Sequence, residues 1–184
     1  MRLFVSIDLP DALADAVADV QKPLRDAKGL TLVDPQQTHV TLKFLGDVDE
    51  DRLADVEEAI ETAVDAAAVG PFEATVAGLG VFPSLDYISV VWAGVEDGAD
   101  EMTRLHEAVE RETTAIGFDA EDHEFTPHVT LGRMKDARGK ETVQRAVGGD
   151  PPNLGSFRVE QVRLTESTLT PDGPTYETVT RFSL

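Results

Sequence analysis

His39-Val40-Thr41-Leu42 recurs as His128-Val129-Thr130-Leu131, 89 residues further along a chain of 184. That interval is nearly half the chain, which suggests two related halves rather than a stack of short repeats. Both copies lie in runs that read as strands, Thr38 to Leu45 and Thr126 to Met134. Successive side chains of a strand point to opposite faces. Val40 and Leu42 therefore share one face, which a core can bury, while His39 and Thr41 share the other. The second copy divides the same way. If the two halves face each other, His39, Thr41, His128 and Thr130 converge on one cleft.

Working outward, Arg2 to Asp8 alternates as a strand, with Leu3, Val5 and Ile7 against Phe4 and Ser6. Pro10 suits the first turn of a helix, and Leu13, Val17, Val20 and Leu24 carry that helix to about Ala27, with Pro23 as a kink. Leu30 to Val33 is a short strand. Asp49 to Ala68 is a second helix, with Leu53, Val56, Ile60 and Val64 on one side. Phe72 to Val81 and Tyr87 to Val95 form a hairpin, Asp100 to Ile116 a third helix and Lys140 to Val147 a short fourth. Ser156 to Thr165 and Tyr176 to Phe182 are the closing strands, joined through Pro171-Asp172-Gly173-Pro174. Intermixed helices and hairpins predict an α+β fold with mainly antiparallel sheets. The length fits a single domain over residues 1–184, with no linker in it.

Composition narrows the setting. There are no cysteines, which removes disulfides, thiolate metal sites and a cysteine nucleophile. No apolar run approaches the ~20 residues of a membrane span, and the first residues do not read as a signal peptide. A cytoplasmic protein is expected, and its acidity favours a monomer. The 35 acids outnumber 16 bases, for a formal net charge of -19. Such a field repels nucleic acid in dilute buffer, but in molar salt the Debye length falls to about 3 Å. The acidity and the scarcity of lysine predict a halophilic source, hence a fold that is lost on dialysis from molar KCl.

The convergent set suits cleavage of a phosphodiester beside a sugar hydroxyl. One imidazole takes a proton from water and the other gives one to the departing oxygen; an ordinary histidine pKa of ~6.5 serves both tasks. Hydroxyls of Thr41 and Thr130 can donate to phosphate oxygens in the transition state. No metal or cofactor is required. A zinc reading would need a third protein ligand, for which Asp122, His123 and Glu124 are the nearest candidates. His123 instead reads as a residue of a solvated loop, and His106 as a helix-boundary residue. Lys43, Arg133 and Lys135 follow the two copies and are expected on the histidine face, with Arg133 the candidate for a bidentate phosphate contact. Phe44 and Tyr176 are candidates to stack a base, although Phe44 is expected in the core.

Several stretches together resemble the RNA 2′,3′-cyclic phosphodiesterases of the two-histidine phosphoesterase superfamily, once described as 2′-5′ RNA ligases. They are Arg2 to Pro10, Thr38 to Gly46, Phe82-Pro83-Ser84, Val91 to Val95, Phe125 to Arg133 and Ser167 to Tyr176. The resemblance implies two lobes related by a pseudo-two-fold axis, each an antiparallel sheet flanked by helices, with both motifs in the cleft between them. It implies metal-independent hydrolysis of a 2′,3′-cyclic phosphate at an RNA end to a 2′-phosphate. By that resemblance His39 is the proton donor and His128 the acceptor; the residues alone do not separate the roles. Ligation of a cyclic phosphate to a 5′-hydroxyl uses the same pair, and a non-catalytic RNA-end binder is the reading from another class.

Overall fold

A computed structural model describes residues 1–184. In chain order it contains β1 (Arg2–Asp8), α1 (Ala14–Gln21), β2 (Leu30–Leu32), β3 (His39–Asp47), α2 (Leu53–Ala67), β4 (Phe72–Pro83) and β5 (Ile88–Val95). There follow α3 (Ala99–Ala115), β6 (His128–Met134), α4 (Lys140–Val147), β7 (Asn153–Val159), β8 (Gln161–Thr170) and β9 (Gly173–Ser183). The expected α+β class holds. The first helix stops at Gln21 and tightens into a 3₁₀ turn at Lys22–Leu24, where Pro23 lacks an N–H to continue it.

All strand pairings are antiparallel, in the order β7-β4-β5-β6-β3-β1-β8-β9, with β2 added at β6. The middle of this array is thin. β3 and β6 meet only at Val40↔Val129, whereas β1 pairs with β3 over most of its length. The array is therefore two curled halves, β3-β1-β8-β9 and β6-β5-β4-β7, joined at one residue pair. Val40 and Val129 are the same position of the repeated tetrapeptide. An antiparallel pair between equivalent residues lies on a local two-fold axis, so the repeat is the symmetry element of the fold.

Helices cover the back of each half, and one of each pair crosses over. α2 and α3 pack behind the β3 half, although α3 links β5 to β6. α1 and α4 pack behind the β6 half, although α1 leaves from β1. Gln21 on α1 ties this packing down, donating from its amide to the carbonyls of Val33 and Leu131. Val56, Ile60, Ala63 and Val64 of α2, and Met102, Leu105 and Val109 of α3, are the buried stripes. A continuous apolar core includes Val40, Leu42, Val129 and Leu131, the inward residues of both copies.

One expected strand is two. Residues 156–165 do not run as a unit: β7 ends at Val159 and pairs with β4, and β8 begins at Gln161 and pairs with β1. The chain passes between halves at Glu160. Alternation slips by one residue at this step: Phe157 and Val159 are inward before it and Val162 and Leu164 after it, with Glu160 and Gln161 as consecutive polar residues between them.

Candidate active site

Each copy of the tetrapeptide carries a β-bulge at its leucine. Ser6 pairs with Thr41 and Val5 with Lys43, which leaves Leu42 as the extra residue. Trp92 pairs with Thr130 and Val91 with Gly132, which leaves Leu131 extra. A bulge inserts one residue and reverses the facing of everything beyond it. Strict alternation would put Lys43, four residues after His39, on the histidine face; Arg133, five after His128, would lie behind. The bulges reverse both. The expectation for Lys43 therefore fails: its side chain is 1% exposed and points back to α3, with its ammonium 2.6 Å from a Glu110 carboxylate oxygen and 2.6 Å from the Asp119 carbonyl. Phe44, expected in the core, is instead 62% exposed. Arg133 does reach the cleft, by the bulge rather than by alternation. Its charge acts on His39, His128 and Tyr176 together. Lys135 lies beyond it, past the end of β6.

The two histidines are held alike. His39 Nδ1 lies 3.0 Å from the Gln37 carbonyl and His128 Nδ1 2.6 Å from the Thr126 carbonyl. A carbonyl oxygen only accepts, so each Nδ1 carries the proton and donates it. Each Nε2 is left as the nitrogen that changes protonation. Continuing the Val40↔Val129 register by one residue sets His39 beside Thr130 and His128 beside Thr41. The side chains of all four are partly exposed.

Aromatic walls support the rings. His39 packs on Phe4 and edge-on to Tyr176, with centroids at 4.9 and 5.0 Å. His128 packs edge-on to Phe82 at 5.0 Å and tilted to Trp92 at 5.8 Å. Gly80 makes room for Trp92, since a Cβ there would come within 2.2 Å of the indole. Only Tyr176 of these four stood out as a candidate in the sequence. Phe4 was detectable as the residue that shares the Ser6 face of β1.

Burial is the largest influence on both imidazoles and lowers both pKa values, because the charged form loses water. The carbonyl hydrogen bonds oppose this and Arg133 reinforces it. Two further charges act on His39 alone: His128 lowers its pKa and a carboxylate raises it. Asp8 is the strand partner of His39 and favours its protonated form; no carboxylate acts on His128 in this way. Asp8 is itself fixed by Arg163 at 2.7 Å and by the Ser6 hydroxyl at 3.1 Å. Nothing in the sequence around Asp8 marks it, because its place beside His39 depends on the β1–β3 register.

The other histidines stand apart. His123 is in an exposed loop beside Glu121 and Asp122, as expected. His106 is buried, not at a boundary: its Nδ1 is 2.7 Å from the carbonyl of the bulged Leu42, and its ring stacks on Phe125 at 4.1 Å. No three His, Asp or Glu side chains are grouped as metal ligands.

Residues 9–170 match the profile of the 2′-5′ RNA ligase superfamily. The chain belongs to this superfamily. Within the superfamily's range of relatives, it is 36% identical to an RNA 2′,3′-cyclic phosphodiesterase of Methanothermobacter thermautotrophicus, over 100% of this chain and 99% of that one. It is 35% identical to the protein of the same name from Archaeoglobus fulgidus, over 96% and 97%. A crystal structure of a Thermus thermophilus protein aligns over 100% of this chain and 98% of that one, with a TM-score of 0.81 and 32% identity. E. coli LigT complexed with 3′-AMP, at 24% identity and a TM-score of 0.79 over 100% and 97%, shares the fold.

Proposed function

We propose that this protein hydrolyses the 2′,3′-cyclic phosphate at an RNA end to a 2′-phosphomonoester, with His39 as proton donor and His128 as proton acceptor. The observation that carries the reading is the matched anchoring of the two imidazoles on either side of the Val40–Val129 bridge, each with Nε2 as its working nitrogen. Neutral His128 has a lone pair there and takes a proton from water as the water oxygen bonds to phosphorus. Protonated His39 gives its Nε2 proton to O3′ as the P–O3′ bond breaks. Protons and charge balance, and solvent restores both rings. Thr41 and Thr130 donate to the non-bridging oxygens, and Arg133 offsets their charge. The role of Asp8 supports His39 as the donor, since it favours the charged ring on that side alone. The names borne by the relatives support the substrate.

The net charge of -19 supports a monomer acting in the cytoplasm, and no helix is long and apolar enough to cross a membrane. Light scattering checks the oligomeric state. The activity is tested on an oligonucleotide ending in 2′,3′-cyclic phosphate, in molar KCl with EDTA, with and without a 5′-hydroxyl RNA. A 2′-phosphate product is expected; absence of turnover on this substrate and its mononucleotide analogue overturns the reading. A joined product in place of hydrolysis makes the enzyme a ligase, with the RNA hydroxyl in the place of water. Loss of activity to EDTA overturns metal independence.

A further inference from the structure

The charge of this acidic chain is unevenly distributed. Residues 22–28 and 133–145 hold eight of the 16 bases and three of the 35 acids, so these twenty residues carry +5 and the other 164 carry -24. The two segments adjoin in space. Thr31 pairs with Arg133, the Lys135 amide donates to the Gly29 carbonyl at 2.8 Å, and Gly139 lies against Lys28. Of the eight bases elsewhere, Lys43, Arg111, Arg158 and Arg163 are engaged by carboxylates, Arg52 and Arg104 donate to backbone carbonyls, and Arg2 and Arg181 are in no ion pair. In this patch Arg138 is engaged by Asp136 and Lys22 by Asp19, while the ion pairs of the molecule leave out Arg25, Lys28, Arg133, Lys135, Lys140 and Arg145. A cavity of about 120 Å³ opens among Lys135, Lys140, Ser89 and Tyr87, with Asp86 and Asp136 also on its wall. Tyr87 is 71% exposed.

We propose that RNA preceding the cyclic phosphate leaves the cleft past Arg133 and follows β6 to this cavity, where Tyr87 stacks a base and Lys135 and Lys140 hold flanking phosphates. The inference rests on the cyclic phosphodiesterase reading for the position of the RNA end. Three features select a single-stranded polyanion as the occupant. The patch is continuous with the cleft through Arg133. An exposed aromatic beside free cations is the pairing that holds single strands, by stacking and by charge. The remaining surface repels a polyanion and so directs it to the one basic tract. Lys135 is seven residues from His128, about 20 Å at ~3.3 Å per residue with one residue taken up by the bulge. A mononucleotide cannot reach from one to the other; an oligonucleotide can.

The test compares a ten-nucleotide RNA ending in 2′,3′-cyclic phosphate with cytidine 2′,3′-cyclic phosphate, for the wild type, Tyr87→Ala and the double variant Lys135→Gln/Lys140→Gln. These side chains are outside the core, so thermal melts should match the wild type. For the long substrate KM should rise about tenfold in each variant, in the range of one lost stacked base, with kcat unchanged. Cytidine cyclic phosphate should be turned over as by the wild type. Anisotropy of the same RNA carrying a 3′-phosphate reads binding without catalysis. Its log–log salt slope should fall by about 1.4 in the double variant, at ~0.7 per single-strand phosphate contact. Unchanged RNA affinity in both variants, or equal losses on both substrates, overturns the track. A wild type that binds the RNA through these residues but hydrolyses neither substrate overturns the cyclic phosphodiesterase reading and leaves the track standing.

Discussion

The β3 and β6 copies of the tetrapeptide share a backbone and differ in what they hold. Both bulge at the leucine, both anchor the histidine ring on the carbonyl two residues earlier, and both turn valine and leucine inward. Beyond the bulge they diverge. The residue that turns to the back is Lys43 in one copy and Gly132 in the other. Lys43 reaches Glu110 behind the sheet, whereas Gly132 admits β2, whose Thr31 carbonyl would be 3.0 Å from any Cβ there. The residue that turns to the front is Phe44 in one and Arg133 in the other. Beside the histidine, Asp8 acts only on the first copy. The comparison separates a symmetric scaffold from an asymmetric environment: backbone geometry is repeated, and the charges that distinguish the two imidazoles come from residues outside the tetrapeptide.

The largest expected effect removes what the copies share. His39→Ala and His128→Ala should each lower kcat about 10²–10⁴-fold on a cyclic-phosphate substrate, and the double variant should be little worse than either, because the two protons move in one displacement. Multiplicative losses would mean that the rings act in separate steps. Next comes a pair that sets the two faces of the bulge against each other. Lys43→Met should cost about 3 kcal/mol in a denaturant titration, by leaving the Glu110 carboxylate without its cation, and should leave kcat/KM intact while the protein is folded. Arg133→Met should do the reverse, raising KM about tenfold for loss of a charge-assisted contact with no change in melting. A loss of activity in the first or of stability in the second would break the division.

The smallest effect is the sharpest on roles. With both imidazoles below their ordinary value of 6.5, the bell of kcat/KM against pH should peak on the acid side of that value. A donor must be protonated, so activity through His39 falls as pH rises past its pKa. Asp8→Asn removes a charge that raises this pKa and leaves Arg163 unbalanced, which lowers it further. The alkaline limb should therefore move to lower pH, by under about one unit, while the acid limb stays. Movement of the acid limb instead would exchange the roles of the two histidines.

Much of this was legible because it is local. The strands, the four helices and the inward residues of both copies follow from period and composition, and the repeat itself points to two halves. The unreadable parts depend on a partner strand. A bulge is defined by two residues opposing one, so nothing in His39 to Phe44 alone says that Lys43 turns back and Phe44 forward. The break at Glu160 leaves only a one-residue slip in alternation, from Val159 to Val162, and the slip does not say which strand becomes the new neighbour. Asp8 is near His39 only because β1 and β3 pair in one register. Parity served well up to Leu42 and Leu131 and failed one residue later in each copy.

The contact between Val40 and Val129 has a consequence for assembly. A strand that pairs with its own counterpart across a two-fold axis is the isologous contact by which identical chains form closed dimers. The same edge-to-edge geometry would be open to two separate half-length chains, each bringing one His-x-Thr, without redesign of either motif. The crossing of α1 and α3 shows what such chains would have to exchange: each would lend a helix to its partner's sheet, and neither would bury its back alone.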